Sequence, residues 1–264
     1  MDNVYNNQRS FIDERAESFM HYLHNEVLNE EAVRLLDIIA SQTDVYVFSG
    51  VIRNYLLGFT ENRDLDVVIN NIDHLHLDVE VLKRCDIIKN SFGGYKIHLN
   101  NLTIDAWGIE NTWGILEKKM DPSPYNLIKT AFFNFSSIAY NYNKHCFYYE
   151  EDVCKFLKTR VMDVVFPLNP NKPLCVLNTI YYARKYKFPL GFSLCKWVVN
   201  NYEETMPFKE VQQQHFHEIV ISEDTIKWFA NSLFGIVNNV SLDDSDALYF
   251  DFIQKRIVIV DVIK

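Results

Sequence analysis

The stretch Ser49-Gly50-Val51-Ile52-Arg53-Asn54-Tyr55-Leu56-Leu57-Gly58, followed after a short loop by Arg63-Asp64-Leu65-Asp66-Val67-Val68-Ile69, decides how the chain is read. It spells a small-residue turn, a short amphipathic helix and a strand carrying Asp-x-Asp. Side chains alternate faces along a strand, so Asp64 and Asp66 project the same way from backbone sites roughly 6.6 Å apart. Two carboxylates held that close repel unless a cation lies between them. A hard divalent ion such as Mg²⁺ accepts carboxylate and phosphate oxygens alike. The layout points to a phosphate-handling metal site. Ser49 and Gly50, at a helix start, offer backbone N–H groups on which a triphosphate can sit.

Working outward, Val45-Tyr46-Val47-Phe48 is a short buried strand that ends at this turn. Upstream, Phe11, Ala16, Phe19, Met20, Leu23, Val27 and Leu28 recur at three- and four-residue spacings, and Val33, Leu35, Leu36 and Ile39 continue the pattern. Residues 10–40 therefore read as helix in two segments, packed on one sheet face. Downstream, residues 75–84 read as helix. Three extended runs follow, 86–91, 95–99 and 102–107, with hairpin turns expected at Gly93-Gly94 and Asn100-Asn101. The third run places Asp105 inside an otherwise apolar strand, where a buried charge needs a partner. A hydrogen-bond anchor and a third metal ligand both satisfy that demand.

The Ser49–Ile69 stretch resembles the catalytic head of the CCA-adding enzyme and bacterial poly(A) polymerase family, within the DNA polymerase beta-like nucleotidyltransferases. The family pattern runs G-G-x-V-R-D-x-L-L-G, a loop, then D-x-D. Gly50, Arg53, Leu56, Leu57, Gly58, Asp64 and Asp66 stand in register, while Ser49 replaces the first glycine and Asn54 the aspartate after the arginine. The superfamily places its third carboxylate on a strand beside Asp-x-Asp, and Asp105 matches. Farther on, Ala131 to Asn141 resembles R-D-F-T-I-N-A-L-A-Y-N, with Ala131-Phe132 in place of the Arg-Asp pair that helps hold the incoming nucleotide. Val161 to Phe166 resembles the strand leading out of the head. Lys172 to Phe188 falls where the family has E-D-P-L-R-I-L-R-A-I-R-F-A-x-x-L-G-F. There the scaffold positions agree, but Asn171 and Lys172 replace the acidic pair, and Cys175, Asn178 and Tyr181 replace three arginines. Those family side chains line the nucleotide pocket, so their loss argues against selection of C and A. The resemblance spans roughly residues 44–190.

Composition narrows the function classes. Hydrophobic content of 48% over 264 residues suits one or two folded domains, and 8 Gly with 7 Pro leave little room for disordered linkers. Five scattered cysteines without a C-x-x-C pair read as reduced packing residues of a cytoplasmic protein. Neither a secretory signal nor a membrane span is expected. The net charge of -9 argues against extensive nonspecific grip on nucleic acid. His74-x-His76 and His215-x-His217 lack zinc spacing and read as surface or packing residues. No G-x-S-x-G elbow supports nucleophilic hydrolysis. Tyr181, Tyr182 and Tyr186 read as core aromatics of a helix. Helices are expected near 193–206, 207–220 and 223–237, and Ile257 to Ile263 reads as a buried strand or an apolar tail.

The expected fold is α+β. An N-terminal helical extension (1–40) precedes a nucleotidyltransferase head with a mixed sheet (41–168) and a helical C-terminal domain (169–264). Motif geometry and the resemblance together imply metal-dependent transfer of a nucleoside monophosphate from an NTP, ATP included, to an acceptor hydroxyl. Asp64, Asp66 and Asp105 would hold two Mg²⁺ ions, and Ser49 and Gly50 would receive phosphates. Arg53 would contact phosphate or brace the site. Lys172 and Arg184, with Lys185 and Lys187, are the candidates to replace the missing arginines, although a solvated helix face explains them equally well. An RNA 3′ end, tRNA included, is the favoured acceptor. A small molecule or protein hydroxyl is the alternative, and a non-catalytic nucleotide-binding module is the competing class.

Overall fold

The computed structural model describes residues 2–62, 64–77, 85–89, 93–243 and 245–262. The chain forms two compact units, residues 1–131 with 135–154, and residues 132–134 with 155–264. The architecture is α+β.

In the first unit, helices α1 (Asp2–Asp13), α2 (Ala16–Tyr22) and α3 (Glu30–Ala40) precede strand β1 (Val45–Phe48), helix α4 (Gly50–Leu57) and strand β2 (Leu65–Ile69). A π-helical turn, Leu23–Val27, links α2 to the loop before α3. Asn29 starts α3 by accepting the Ala32 amide, and its Nδ2 donates to the Leu99 carbonyl, which ties the helix to the sheet. The unit continues through β3 (Asp86–Lys89), β4 (Tyr95–Leu99), β5 (Leu102–Gly108), α5 (Trp113–Lys118), α6 (Pro124–Ile128), β6 (Ile138–Asn141) and β7 (Cys146–Tyr149). The helix expected over 75–84 lies mostly outside the described residues, since 78–84 are not among them; residues 75–77 carry no regular structure.

The strands form one sheet in the order β3-β4-β5-β2-β1-β6-β7. All neighbours are antiparallel except β2 and β5, which are parallel. Alternation sorts the side chains. On one face Tyr46, Val68 and Ala139 join Ile109, Ile115, Leu127 and Ile128 in a buried cluster edged by Phe48 and Trp107. On the other, Phe19 packs edge-on against Tyr140 at 4.8 Å.

The second unit is mainly helical and carries a small sheet. The chain enters it within α7 (Glu151–Thr159), and α8 (Lys172–Tyr186), α9 (Phe192–Asn201), α10 (Phe208–Phe216) and α11 (Glu223–Asn239) follow. The strand expected at 161–166 is reduced to isolated bridges at Met162 and Val164. Asp163 there accepts the amides of Val164 and Leu194 on one carboxylate oxygen. A Cβ at position 191 would lie 2.5 Å from the other oxygen, so this close approach requires Gly191. Strands β8 (Leu190–Gly191), β9 (Asp246–Asp251) and β10 (Arg256–Asp261) form an antiparallel sheet in the order β10-β9-β8. The C-terminal apolar run is thus a strand, but at the sheet edge and substantially exposed rather than buried.

Candidate active site

The β2–β5 pairing sets Asp66 in direct register with Asp105. Residues in register on adjacent strands share a face, so Asp66 and Asp105 stand side by side. Asp64 lies one residue before β2, and all three are partly buried. The face of Asp66 and Asp105 also holds the Tyr46–Val68 cluster, with Trp107 two residues beyond Asp105 and packed edge-on against Phe48 at 6.2 Å.

β1 runs antiparallel to β2 through Val47↔Val67. Continuing that register by one residue brings Phe48 alongside Asp66, so the turn at Ser49-Gly50 lies by the start of β2. Ser49 has φ +59° and ψ −97°, near the first central position of a type II′ turn, where glycine is favoured. Its amide donates to the Ile138 carbonyl at 3.0 Å and is already committed within the sheet. Of the two amides expected to receive phosphate, only that of Gly50 belongs to the open first turn of α4, with those of Val51 and Ile52. A Cβ at Gly50 would meet nothing within 4 Å, so the space there is open.

Helix α4 is placed by Val51, Ile52 and Leu56, all buried, and is closed by Gly58 in the left-handed region at φ +74°. Arg53 donates through Nε to Asn54 Oδ1 at 2.9 Å, and its guanidinium lies over the Phe135 ring. Asn54 is 5% exposed and donates to the Glu61 carbonyl and to Asn62 Oδ1. Asn62 in turn donates to the Tyr22 hydroxyl. An aspartate at position 54 could not donate to that carbonyl. Asn54 clamps the loop that delivers the chain to Asp64.

Sequence reasoning missed Lys96. Its ammonium lies 2.7 Å from Asp105 Oδ1 and 3.0 Å from Oδ2. The signal was present: a two-residue turn at Asn100-Asn101 sets Leu99 opposite Leu102, and counting back sets Lys96 opposite Asp105. Among the described residues, no three His, Cys, Asp or Glu side chains are gathered closely enough to hold a metal ion as they stand. Carboxylate oxygens are the ligands a hard divalent cation takes, and the Asp105 carboxylate is held by Lys96.

The remaining predicted residues lie in the second unit. Lys172 is the exposed first residue of α8, whose start is capped by Asn171 accepting the Leu174 amide. Arg184 is exposed and donates to the Val220 carbonyl. Cys175 is buried, and burial pushes its thiol up to about 12, so it is an inert packing group. Tyr182 stacks on Tyr186 at 5.8 Å, and Tyr181 packs on Phe216. Phe132 is buried against Trp197. Of the positions where this chain departs from the resembled pattern, Asn54, Ala131, Phe132 and Cys175 are buried, Ser49, Asn178 and Tyr181 are half-buried, and Asn171 and Lys172 are exposed. His217 ends α10 in the left-handed region, and His215 packs against Phe216.

No protein-family model matches the chain, and no curated protein matches it by sequence. Solved structures do match it in three dimensions. A tRNA-processing enzyme in an apo form superposes with a TM-score of 0.55 at 16% identity, covering 82% of this chain and 61% of that one. A tRNA nucleotidyltransferase complexed with a primer tRNA and an incoming ATP analog gives 0.53 at 16% identity, covering 77% and 62%. A CCA-adding enzyme in an apo form gives 0.51 at 15% identity, covering 82% and 61%. The chain spans about three fifths of the length of these structures. At such identities the likeness speaks to architecture, and the architecture of this chain is that of the CCA-adding enzymes and tRNA nucleotidyltransferases.

Proposed function

We propose that the chain is a nucleotidyltransferase that moves a nucleoside monophosphate from an NTP to an acceptor hydroxyl, releasing pyrophosphate, with an RNA 3′ end as the favoured acceptor. The observation that carries this reading is the register of Asp66 with Asp105, with Asp64 one residue before β2. These three side chains would hold two Mg²⁺ ions, which, when bound, neutralise triphosphate charge and lower the pKa of the acceptor hydroxyl. The chain's own groups do the positioning. The first-turn amides of α4, led by Gly50, face an incoming phosphate. Arg53 supplies positive charge one turn farther along, and Asn54 holds the loop that sets the carboxylates. Lys172 and Arg184 are the proposed nucleotide contacts of the second unit. A fold neighbour captured with a primer tRNA and an ATP analog makes ATP and a tRNA-like end the first substrates to try. Five free cysteines suit a cytoplasmic setting, and among the described residues no helix is long and apolar enough to cross a membrane.

The test is incubation with each labelled NTP, Mg²⁺ and total RNA, followed by separation into RNA, protein and small-molecule fractions. Label in RNA, lost in Asp64→Asn and Asp66→Asn, supports the reading. Label in protein or small molecules moves the acceptor to the alternative class, to which the net charge of -9 gives weight. Transfer that survives both substitutions overturns the mechanism. One observation favours a second reading, a nucleotide-binding module without turnover: Lys96 already neutralises Asp105. Nucleotide binding by calorimetry without pyrophosphate release would establish it.

A further inference from the structure

Both oxygens of the Asp105 carboxylate are taken by one ammonium, with Lys96 Nζ 2.7 Å from Oδ1 and 3.0 Å from Oδ2. Among the described residues, neither group bonds to any other side chain. Across the β3–β4 ladder Lys96 stands opposite Ile88, which offers the ammonium no second partner. The next residue of β4 on that face, His98, is engaged with the Thr103 hydroxyl. Burial alternates along these strands: Ile97, Ile104 and Ala106 are buried, whereas Lys96, Asp105 and Asp66 stay partly open to solvent. The pair thus lies on a face that a ligand can reach, beside a second carboxylate in register.

A divalent cation arriving alone at Asp105 meets a problem of charge. It must displace the ammonium, yet the lysine is rooted directly opposite, so two like charges stay close together. An anion that accepts the ammonium relieves that repulsion and frees the carboxylate together. A triphosphate does both, because its oxygens bind a lysine as a point charge and also ligate hard divalent ions.

We propose that Lys96 makes cation binding at Asp105 conditional on nucleotide: phosphate draws the ammonium off the carboxylate, which then becomes available as a ligand. The inference rests on the nucleotidyltransferase reading and adds an order of assembly to it. The coupling is mutual, so nucleotide tightens the cation by the same factor as the cation tightens nucleotide. The two side chains are 40% and 30% exposed. Water screens such a pair, so the lock amounts to about tenfold in affinity and not to an absolute block.

The test is Mn²⁺ binding to the full chain, read from the electron paramagnetic resonance of free Mn²⁺. It is run with and without ATP carrying a methylene bridge between its α and β phosphates. Mn²⁺ held by the analog alone is measured in parallel and subtracted. The analog is expected to tighten Mn²⁺ binding to the wild type about tenfold more than to Lys96→Met or Lys96→Gln, which lack the ammonium. Lys96→Arg keeps the charge and is expected to retain the coupling. Circular dichroism melting checks that each variant is folded. Analog that binds but tightens Mn²⁺ equally in the wild type and both neutral variants overturns the proposal and leaves the nucleotidyltransferase reading standing. A chain that takes up no analog at any Mn²⁺ concentration overturns that reading, and the inference with it.

Discussion

Lys96 and Asp105 face each other across the β4–β5 ladder, with the ammonium within 3.0 Å of both carboxylate oxygens. The lysine holds a positive charge beside the acidic residues before any cation arrives. Replacing it with methionine keeps most of the stem and removes the competitor. Lys96→Met is expected to tighten Mn²⁺ binding by about tenfold, roughly 1.4 kcal/mol, a magnitude within that of one unit charge near a protein surface. Calorimetric titration of Mn²⁺ reads it without reference to turnover. Stability should change by less than about 1 kcal/mol, because the pair is half-exposed and screened. Unchanged Mn²⁺ affinity would remove Asp105 from the ligand set.

Ser49 sits at φ +59° in a region where a Cβ is strained. Such a residue costs about 1–3 kcal/mol, which the surrounding sheet and helix sustain. Ser49→Gly is expected to raise stability by about 1 kcal/mol, after allowing for the larger backbone freedom of an unfolded glycine, or about 2–4 °C in Tm. Differential scanning calorimetry checks this, and a lower Tm would count against strain at the turn.

Asn54 makes two donations that an aspartate cannot make, to the Glu61 carbonyl at 2.7 Å and to Asn62. Asn54→Asp restores the resembled family's residue and is nonetheless expected to destabilise the protein by about 1–3 kcal/mol, because it removes both donations of a buried side chain and sets charge where a donor stood. Attraction to Arg53 offsets part of that loss. Urea denaturation measures the balance, and a neutral or stabilising outcome would show that the ion pair outweighs the clamp.

Four tyrosines of the first unit, Tyr46, Tyr140, Tyr142 and Tyr149, are held above their ordinary pKa chiefly by burial, with Asp44, Glu17, Asp37 and Asp13 respectively adding to it. A raised folded-state pKa stabilises fully below the unfolded value and is lost as pH rises through the folded one. Stability should therefore not vary through these groups below about pH 10 and should fall steeply above it. Tyr140 donates its hydroxyl to the Ala16 carbonyl. Tyr140→Phe should remove about one proton from the slope of unfolding free energy against pH, at a cost of about 1 kcal/mol for the lost bond. Denaturant melts from pH 8 to 11.5, values chosen to bracket the roughly pH 10 midpoint of an unfolded tyrosine, would show a shallow slope if the hydroxyls were accessible.

The register of Asp66 with Asp105 was within reach because each lies in a strand whose alternation is visible residue by residue, and the turn at 100–101 announced the hairpin that carries Asp105. Lys96 was within reach of the same counting. The commitment of the Ser49 amide to Ile138 was not, because it depends on β6, which is distant in sequence. The burial of Phe132 was hidden for a related reason: replacement of a polar family position by an apolar residue looks the same whether a pocket has changed or a core has grown, whereas Cys175 is the packing residue expected of it. The exposure of β10 was misjudged because an apolar run gives no sign of whether its outer edge is covered.

The parallel contact of β2 with β5 is the exception among the described strands of its sheet, and it has a consequence for how the protein is made. Hairpin neighbours can zip together locally, but a parallel pair meets only after the intervening chain has looped back. Asp66 and Asp105 are therefore strangers through the early stages of folding, and the charge interaction between Asp66 and the Lys96–Asp105 pair acts only once the crossover has closed. Swapping Asp66 for asparagine should leave the refolding rate nearly untouched and change the rate of spontaneous opening of the finished molecule instead.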